Sequence, residues 1–173
     1  MTDFRLEELS ARTALAANGL ALRRGQEQFV TPPTYAIADA YVDPITSWPR
    51  VVLEGDEVVG FIRGNFDPGN TEEEFRSCVW RVNVSADQQG RGIGTFAVLA
   101  LADEARTRGF DRLTAVWEVG DDGPDKFFRS MGEGYGPRIN DVLRSYMHAR
   151  LAGVIRGAET LAHYREREEA HSG

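Results

Sequence analysis

With a single cysteine, Cys78, the chain has no partner for an internal disulfide and too few thiolates for a multi-cysteine metal site. That cysteine falls in a run that reads as a strand, Cys78-Val79-Trp80-Arg81-Val82-Asn83-Val84, and is expected to be a buried structural thiol rather than a nucleophile. Histidine is also scarce. His148, His163 and His171 all lie near the C-terminus, and none stands at metal-ligand spacing from a cysteine or carboxylate, so no metal is expected. No stretch approaches the ~20 consecutive apolar residues that cross a bilayer. Met1–Ser10 is acidic and polar where a signal peptide needs a basic start and an apolar run, which points to a cytoplasmic protein without a membrane partner. Basic residues are outnumbered, 20 against 27, and the net charge of −7 argues against binding a phosphate backbone and so against a nucleic-acid partner. It suits a cationic small substrate better.

What is present suits one soluble α/β domain. The 173 residues are 42% hydrophobic and 27% charged, enough apolar material for one core. A short strand is expected near Phe4–Leu6, then a helix from Ser10, its N-cap, to about Arg24, with a break at Asn18-Gly19. Thr31-Pro32-Pro33 punctuates the chain before a short helix that runs to Ala40 and stops at Asp43-Pro44. Two β-type runs, Arg50–Leu53 and Val58–Arg63, flank Glu54-Gly55-Asp56-Glu57 and read as a hairpin. The strand Ser77–Val84 follows a polar loop. Beyond it come a helix Thr95–Arg108 with Phe96, Leu99, Leu101 and Ala105 in its apolar stripe, a strand Arg112–Trp117, and a helix from Pro124 to Met131. The order β-α-α-β-β-β-loop-α-β-α predicts helices flanking a mixed sheet. From Ile139 to Tyr164 apolar residues recur at helical spacing, and the Arg- and Glu-rich remainder predicts an amphipathic tail helix packed on its own domain or on a partner chain. The expected division is a domain over residues 1–137 and a helical extension over 138–173.

The segment Val82-Asn83-Val84-Ser85-Ala86-Asp87-Gln88-Gln89-Gly90-Arg91-Gly92-Ile93-Gly94-Thr95 carries the chemistry. A strand ends, a polar turn follows, and alternating glycines deliver the chain into a helix. Glycine permits backbone angles and close approaches that a Cβ forbids, and successive N–H groups at a helix start converge on an anion. A pyrophosphate is the expected guest. The dinucleotide fingerprint fits less well, because it needs G-x-G-x-x-G and Gly90, Gly92 and Gly94 give G-x-G-x-G. No Gly-Lys-Ser/Thr follows, so this is not a Walker loop.

Gln89-Gly90-Arg91-Gly92-Ile93-Gly94 resembles the Q/R-x-x-G-x-G/A signature of the GNAT acetyltransferases, and the flanking strand, helix and hairpin with Val59-Gly60-Phe61 are similar too. The similarity spans residues 4–132, and within that superfamily it most resembles bacterial diamine or spermidine acetyltransferase-like proteins. It implies a mostly antiparallel central sheet with helices on its faces. It also implies that the amides of Gln89, Gly90, Arg91, Gly92, Ile93, Gly94 and Thr95 hold the pyrophosphate of acetyl-CoA. Main-chain groups of Val82 and Val84 would pair with the pantetheine arm, Asn83, Asp121, Phe127 and Phe128 would lie beside the cofactor, and the Val84 N–H would polarise the thioester carbonyl. An amine would then attack directly, with Glu118 as general base.

The resemblance breaks down in two places. Where many members carry a tyrosine that protonates the leaving thiolate, this chain has Phe128, which leaves Tyr135 as a substitute acid or none. The tail replaces the two strands with which the family usually ends, and it predicts a homodimer. Glu27 and Glu74, with neighbouring Glu72 and Glu73, are candidates to hold a cationic amine, and Trp80, Trp117 and Phe66 to line its pocket. Set against these roles, a glutamate run in a loop is usually a solvated face, and aromatic residues on strands are usually core. The expected activity is transfer of an acetyl group to a polyamine or an amine-bearing antibiotic. A non-catalytic acyl-CoA-binding regulator is the alternative.

Overall fold

The computed structural model describes residues 3–117, 120 and 123–129. The chain divides into two units, residues 1–115 and 116–173. The expected tail helix over 138–173 lies outside the described residues.

The first unit is organised by β-branched and aromatic residues at two-residue spacing, which suit a pleated, half-buried surface. Five strands result: β1 (Phe4–Glu8), β2 (Ser47–Glu54), β3 (Glu57–Phe66), β4 (Ser77–Val84) and β5 (Thr114–Ala115). They lie in the order β1-β2-β3-β4-β5. The first four pair antiparallel, and β4 pairs with β5 in parallel. This is the predicted mixed, mostly antiparallel sheet. The hairpin turns at Gly55, and both of its strands run further than the sequence suggested. Two bulges disturb the ladder, one between Val52 and Leu53 and one between Arg63 and Gly64. At the second, Arg63 faces Arg81 while Gly64 faces Val79, so Trp80 is the extra residue.

Helices α1 (Ala11–Asn18) and α2 (Pro33–Val42) cover one face. Ser10 caps α1 as expected, its hydroxyl and Thr13 forming a reciprocal capping box. The helix stops at Gly19, at the expected break, and does not resume towards Arg24. Ala17, Leu20, Ala36, Val51, Leu53 and Phe61 pack together as the core of this layer. Helix α3 (Ile93–Thr107) packs on β3 and β4. It buries Ile93, Ala97, Val98, Leu101 and Ala105, whereas Leu99, expected in the apolar stripe, is exposed. Gly64 is where sheet and helix come closest: a Cβ there would stand 2.3 Å from a Leu101 methyl.

In the second unit, α4 (Asp125–Arg129) brings Phe128 onto Trp117 in a stack with centroids 5.0 Å apart, and the Trp117 indole N–H donates to Asp125 at 3.0 Å. That bond, with Arg129 beside it, holds the Asp125 carboxyl below the usual range. Among the described residues no helix is long and apolar enough to cross a membrane.

Candidate functional site

The glycine loop joins the C-terminal end of β4 to the N-terminus of α3. Gly90 and Gly92 have φ of 85° and 87°, and a Cβ at either would meet nothing within 4 Å. The glycines are therefore required by backbone conformation rather than by crowding, and the space in front of them is open. The Gln88 amide bonds to the Ser85 carbonyl and the Phe96 amide to Gly92. Between them, the amides of Gln89 to Thr95 have no acceptor among the described residues, and no side chain caps the helix. A run of N–H groups with left-handed residues interspersed, opening a 15-residue helix, is a concave anion cradle.

The loop is held from both ends. The Gln89 side-chain amide donates to the Val84 carbonyl at 3.2 Å and exchanges bonds with the amide of Gln26 at 2.9 and 3.2 Å. The Arg23 guanidinium donates to the Ala86 carbonyl at 3.1 Å, and the Ala86 amide to the Ala21 carbonyl at 2.8 Å. Arg23 and Gln26 went unnoticed in the sequence, because their partners lie some sixty residues away and no local pattern links them. Arg91 turns back to Glu54, with contacts of 2.6 and 2.8 Å, and to the Gln88 side-chain oxygen Oε1, so its charge is already engaged. This pairing holds Glu54 below the usual carboxylate range.

Strand β4 presents a second set of backbone groups. The Ser85 amide bonds to the Val59 carbonyl at 3.1 Å, which fixes the parity of the ladder. In an antiparallel pair, hydrogen-bonded and non-hydrogen-bonded positions alternate. Asn83 therefore points its backbone groups at β3, and Val82 and Val84 point theirs at the opposite edge. On that edge β5 pairs only with Cys78 and Val79. The stretch 80–84 faces no strand there among the described residues.

The opposite faces of β4 also differ. Arg81 and Asn83 stand beneath α2 and the segment before it, on the same face as Phe61 and Arg63. Arg63 meets the Asp39 carboxylate at 3.1 Å, the Ser47 hydroxyl at 2.6 Å and the Trp80 ring at 4.9 Å. Arg81 donates to the Thr31 carbonyl at 3.4 Å.

The remaining candidates are scattered. The Glu27 carboxylate accepts the Gly25 amide at 2.7 Å, one residue from the Gln26 that pairs with Gln89. Glu72, Glu73 and Glu74 lie before the other end of β4, where a cleft of about 640 Å³ is lined by Glu73, Arg76, Phe110 and Arg112. The structure thus does not bring Glu27 and Glu74 together. Phe66 is buried against Phe110, their centroids 5.6 Å apart. Phe127 and Phe128 pack edge to face, 4.9 Å apart. Glu118, Asp121 and Tyr135 lie outside the described residues. Cys78 is buried, and burial pushes its thiol up to about 12, as suits a structural role.

Residues 19–132 match the model of the Acetyltransferase (GNAT) family. A segment of 66 residues is 43% identical to L-2,4-diaminobutyric acid acetyltransferase of Virgibacillus pantothenticus, covering 38% of this chain and 40% of that protein. The match thus spans less than half of that relative's length. Among solved structures, the fold resembles an aminoglycoside 6'-N-acetyltransferase from Acinetobacter haemolyticus (TM-score 0.57, 9% identity, 76% of this chain and 91% of that one). It also resembles a transcriptional regulator from Bacillus halodurans (TM-score 0.57, 19% identity, 78% and 98%). A third likeness is to a ribosomal-protein-alanine N-acetyltransferase from Brucella melitensis (TM-score 0.54, 19% identity, 78% and 93%). At these identities the likenesses speak for the fold alone.

Proposed function

The chain belongs to the GNAT acetyltransferase family, and from that premise we propose that it transfers the acetyl group of acetyl-CoA to a primary amine of a small molecule. The observation that carries this reading is the row of amides from Gln89 to Thr95, without an acceptor among the described residues, at an open cradle. The cradle fits a pyrophosphate, since the donors are already aligned and need no rearrangement. Acetyl-CoA supplies an activated thioester. The chain's own part is to hold it and to orient the acceptor. Val82 and Val84 turn backbone groups to the open edge of β4, where an extended pantetheine arm can pair as a strand would. The Val84 N–H is then the donor for the thioester oxygen, where charge gathers as the amine adds.

In the transfer, a C–N bond forms and the C–S bond breaks. The nitrogen's proton goes to a base, for which Glu118 is proposed, and the sulfur leaves as thiolate or takes a proton from Tyr135. Phe128 has no proton to give and is buried against Trp117. A small-molecule amine also fits the relative that acts on diaminobutyric acid. The homodimer and the cytoplasmic location expected from the sequence belong to the same proposal, and gel filtration reads the first.

Free thiol release from acetyl-CoA, followed with a panel of diamines, diamino acids and aminoglycosides, tests the activity. Amine-dependent release is expected, and Gly92→Trp should abolish it by blocking the cradle with a side chain in a conformation L residues disfavour. CoA binding without release to any amine would favour the regulator reading. Absence of CoA binding would overturn both.

A further inference from the structure

The polar cluster under α2 gathers buried side-chain atoms that lack hydrogen-bond partners. Arg63 and Arg81 are direct cross-strand partners, both buried, on one face of the sheet. Arg63 is served by Asp39, Ser47 and Trp80. Arg81, only 7% exposed, has a long bond of 3.4 Å from Nη1 to the Thr31 carbonyl, and its Nε meets no acceptor. Two residues along the same face, Asn83 is 2% exposed, and neither its side-chain oxygen nor its nitrogen has a partner. The Thr31 hydroxyl above Arg81 is unpartnered as well.

Buried polar groups are normally hydrogen-bonded, so orphans gathered at one place call for a ligand or water. Burial opposes the protonation of Arg81 most strongly, the Arg63 charge adds to that, and Asp39 only partly offsets them, which brings it down to about 10. Asp39 pairs with Arg63, whereas the Nε edge of Arg81 meets no acceptor. A buried guanidinium without an anion is costly, and an incoming anion relieves that cost.

We propose that Arg81 and Asn83 receive the carboxylate of the acetyl acceptor, so that the acceptor is an amino acid bearing a second amine rather than a plain polyamine. This rests on the transferase reading above and names its substrate class. A guanidinium offers Nε and Nη as a planar fork that matches the two oxygens of a carboxylate, and on Arg81 the Nε edge is the free one. Asn83 offers both a donor and an acceptor, the pair that the carboxylate and α-ammonium of an amino acid require. Arg81 and Asn83 are about 6.8 Å apart along the strand, and Val84, the proposed carbonyl donor, is the next residue. An acceptor anchored by its carboxylate at Arg81 therefore extends its far amine towards the reacting end of β4.

The test uses the full chain, acetyl-CoA and two acceptors that differ by one carboxylate, 2,4-diaminobutyrate and 1,3-diaminopropane. The amino acid should have at least a tenfold higher kcat/KM. Arg81→Gln should collapse that ratio towards one, and Arg81→Lys should keep part of it. A purely structural Arg81 would lower both acceptors alike and leave the ratio standing, which would overturn the proposal, as would preference of the unaltered chain for the diamine. Absence of turnover with every amine would count against the transferase reading instead. Calorimetry of each compound against the chain, alone and with CoA, then reads the subsite directly. Binding of the amino acid but not the diamine upholds it; equal binding, or none, overturns it. Should Arg81→Gln fail to fold, the comparison on the unaltered chain decides.

Discussion

At the scale of single residues, the side chains divide into those that hold chemistry and those that hold shape. Cys78 belongs to the second kind. It is fully buried on β4, and burial raises its thiol from 9.0 to about 12, although the Arg63 charge pulls the other way. A thiol kept protonated at neutral pH is a poor nucleophile. Cys78 should therefore resist a disulfide reagent in the folded chain and react in full once denaturant is added; stoichiometric labelling of the folded protein at neutral pH would refute this. The sign of its pH effect follows. The folded state holds the proton more tightly than the unfolded chain, so this thiol's contribution to stability is complete below pH 9.0 and declines as pH rises towards about 12. Urea midpoints measured across that range should fall less steeply in Cys78→Ala. Gln89 shows the other kind of residue. It is the first letter of the loop signature, and the structure gives it a mechanical task, tying the loop to the Val84 carbonyl and to Gln26.

At the scale of elements, close packing explains positions that sequence periodicity left neutral. Gly64 lies under Leu101, and the 2.3 Å separation a Cβ would have from the Leu101 methyl exceeds what a small side-chain shift relieves. Gly64→Ala should destabilise by roughly 1–3 kcal/mol through overpacking. Leu101→Ala alone should cost about 2–5 kcal/mol through the cavity it leaves. The double variant should lose less than the sum, because each change makes room for the other; denaturant midpoints of the three variants check this, and strict additivity would show that the helix shifts instead. The contrast marks what the sequence could reveal. The hairpin, the capped start of α1, β4 and the glycine loop with its helix were all legible, because each is written in neighbouring residues with a local physical meaning. The choice of Val98 over Leu99 for the core, and the bulge that makes Trp80 an extra residue, depend on how α3 seats on the sheet. The Arg63–Arg81 pair and the Gln26–Gln89 clasp depend on register between distant segments, which no window of sequence contains. The candidate base Glu118 and the candidate acid Tyr135 remain proposals.

At the scale of the whole molecule, an acidic protein must hold a polyanionic co-substrate. The net charge of −7 repels acetyl-CoA at long range. At the cradle itself, Arg91, the cation within the loop, is taken by Glu54 and Gln88. Binding must then rest on oriented backbone amides and the α3 dipole, which act over the first turn only. These two ranges respond differently to salt. Screening beyond about 8–10 Å removes the general repulsion, while the amide contacts lie inside that distance. Affinity for CoA should therefore hold steady or rise slightly as salt is raised from low to physiological, unlike a site built on free lysines or arginines. Glu54→Gln removes one negative charge and releases Arg91 towards the phosphates. It should tighten CoA binding and at the same time make it weaken with salt. Calorimetric titrations of both proteins at low and physiological salt give the comparison. A tenfold loss of affinity with salt in the unaltered chain would mean that Arg91 leaves Glu54 when CoA arrives, and that the cradle works by charge rather than by backbone.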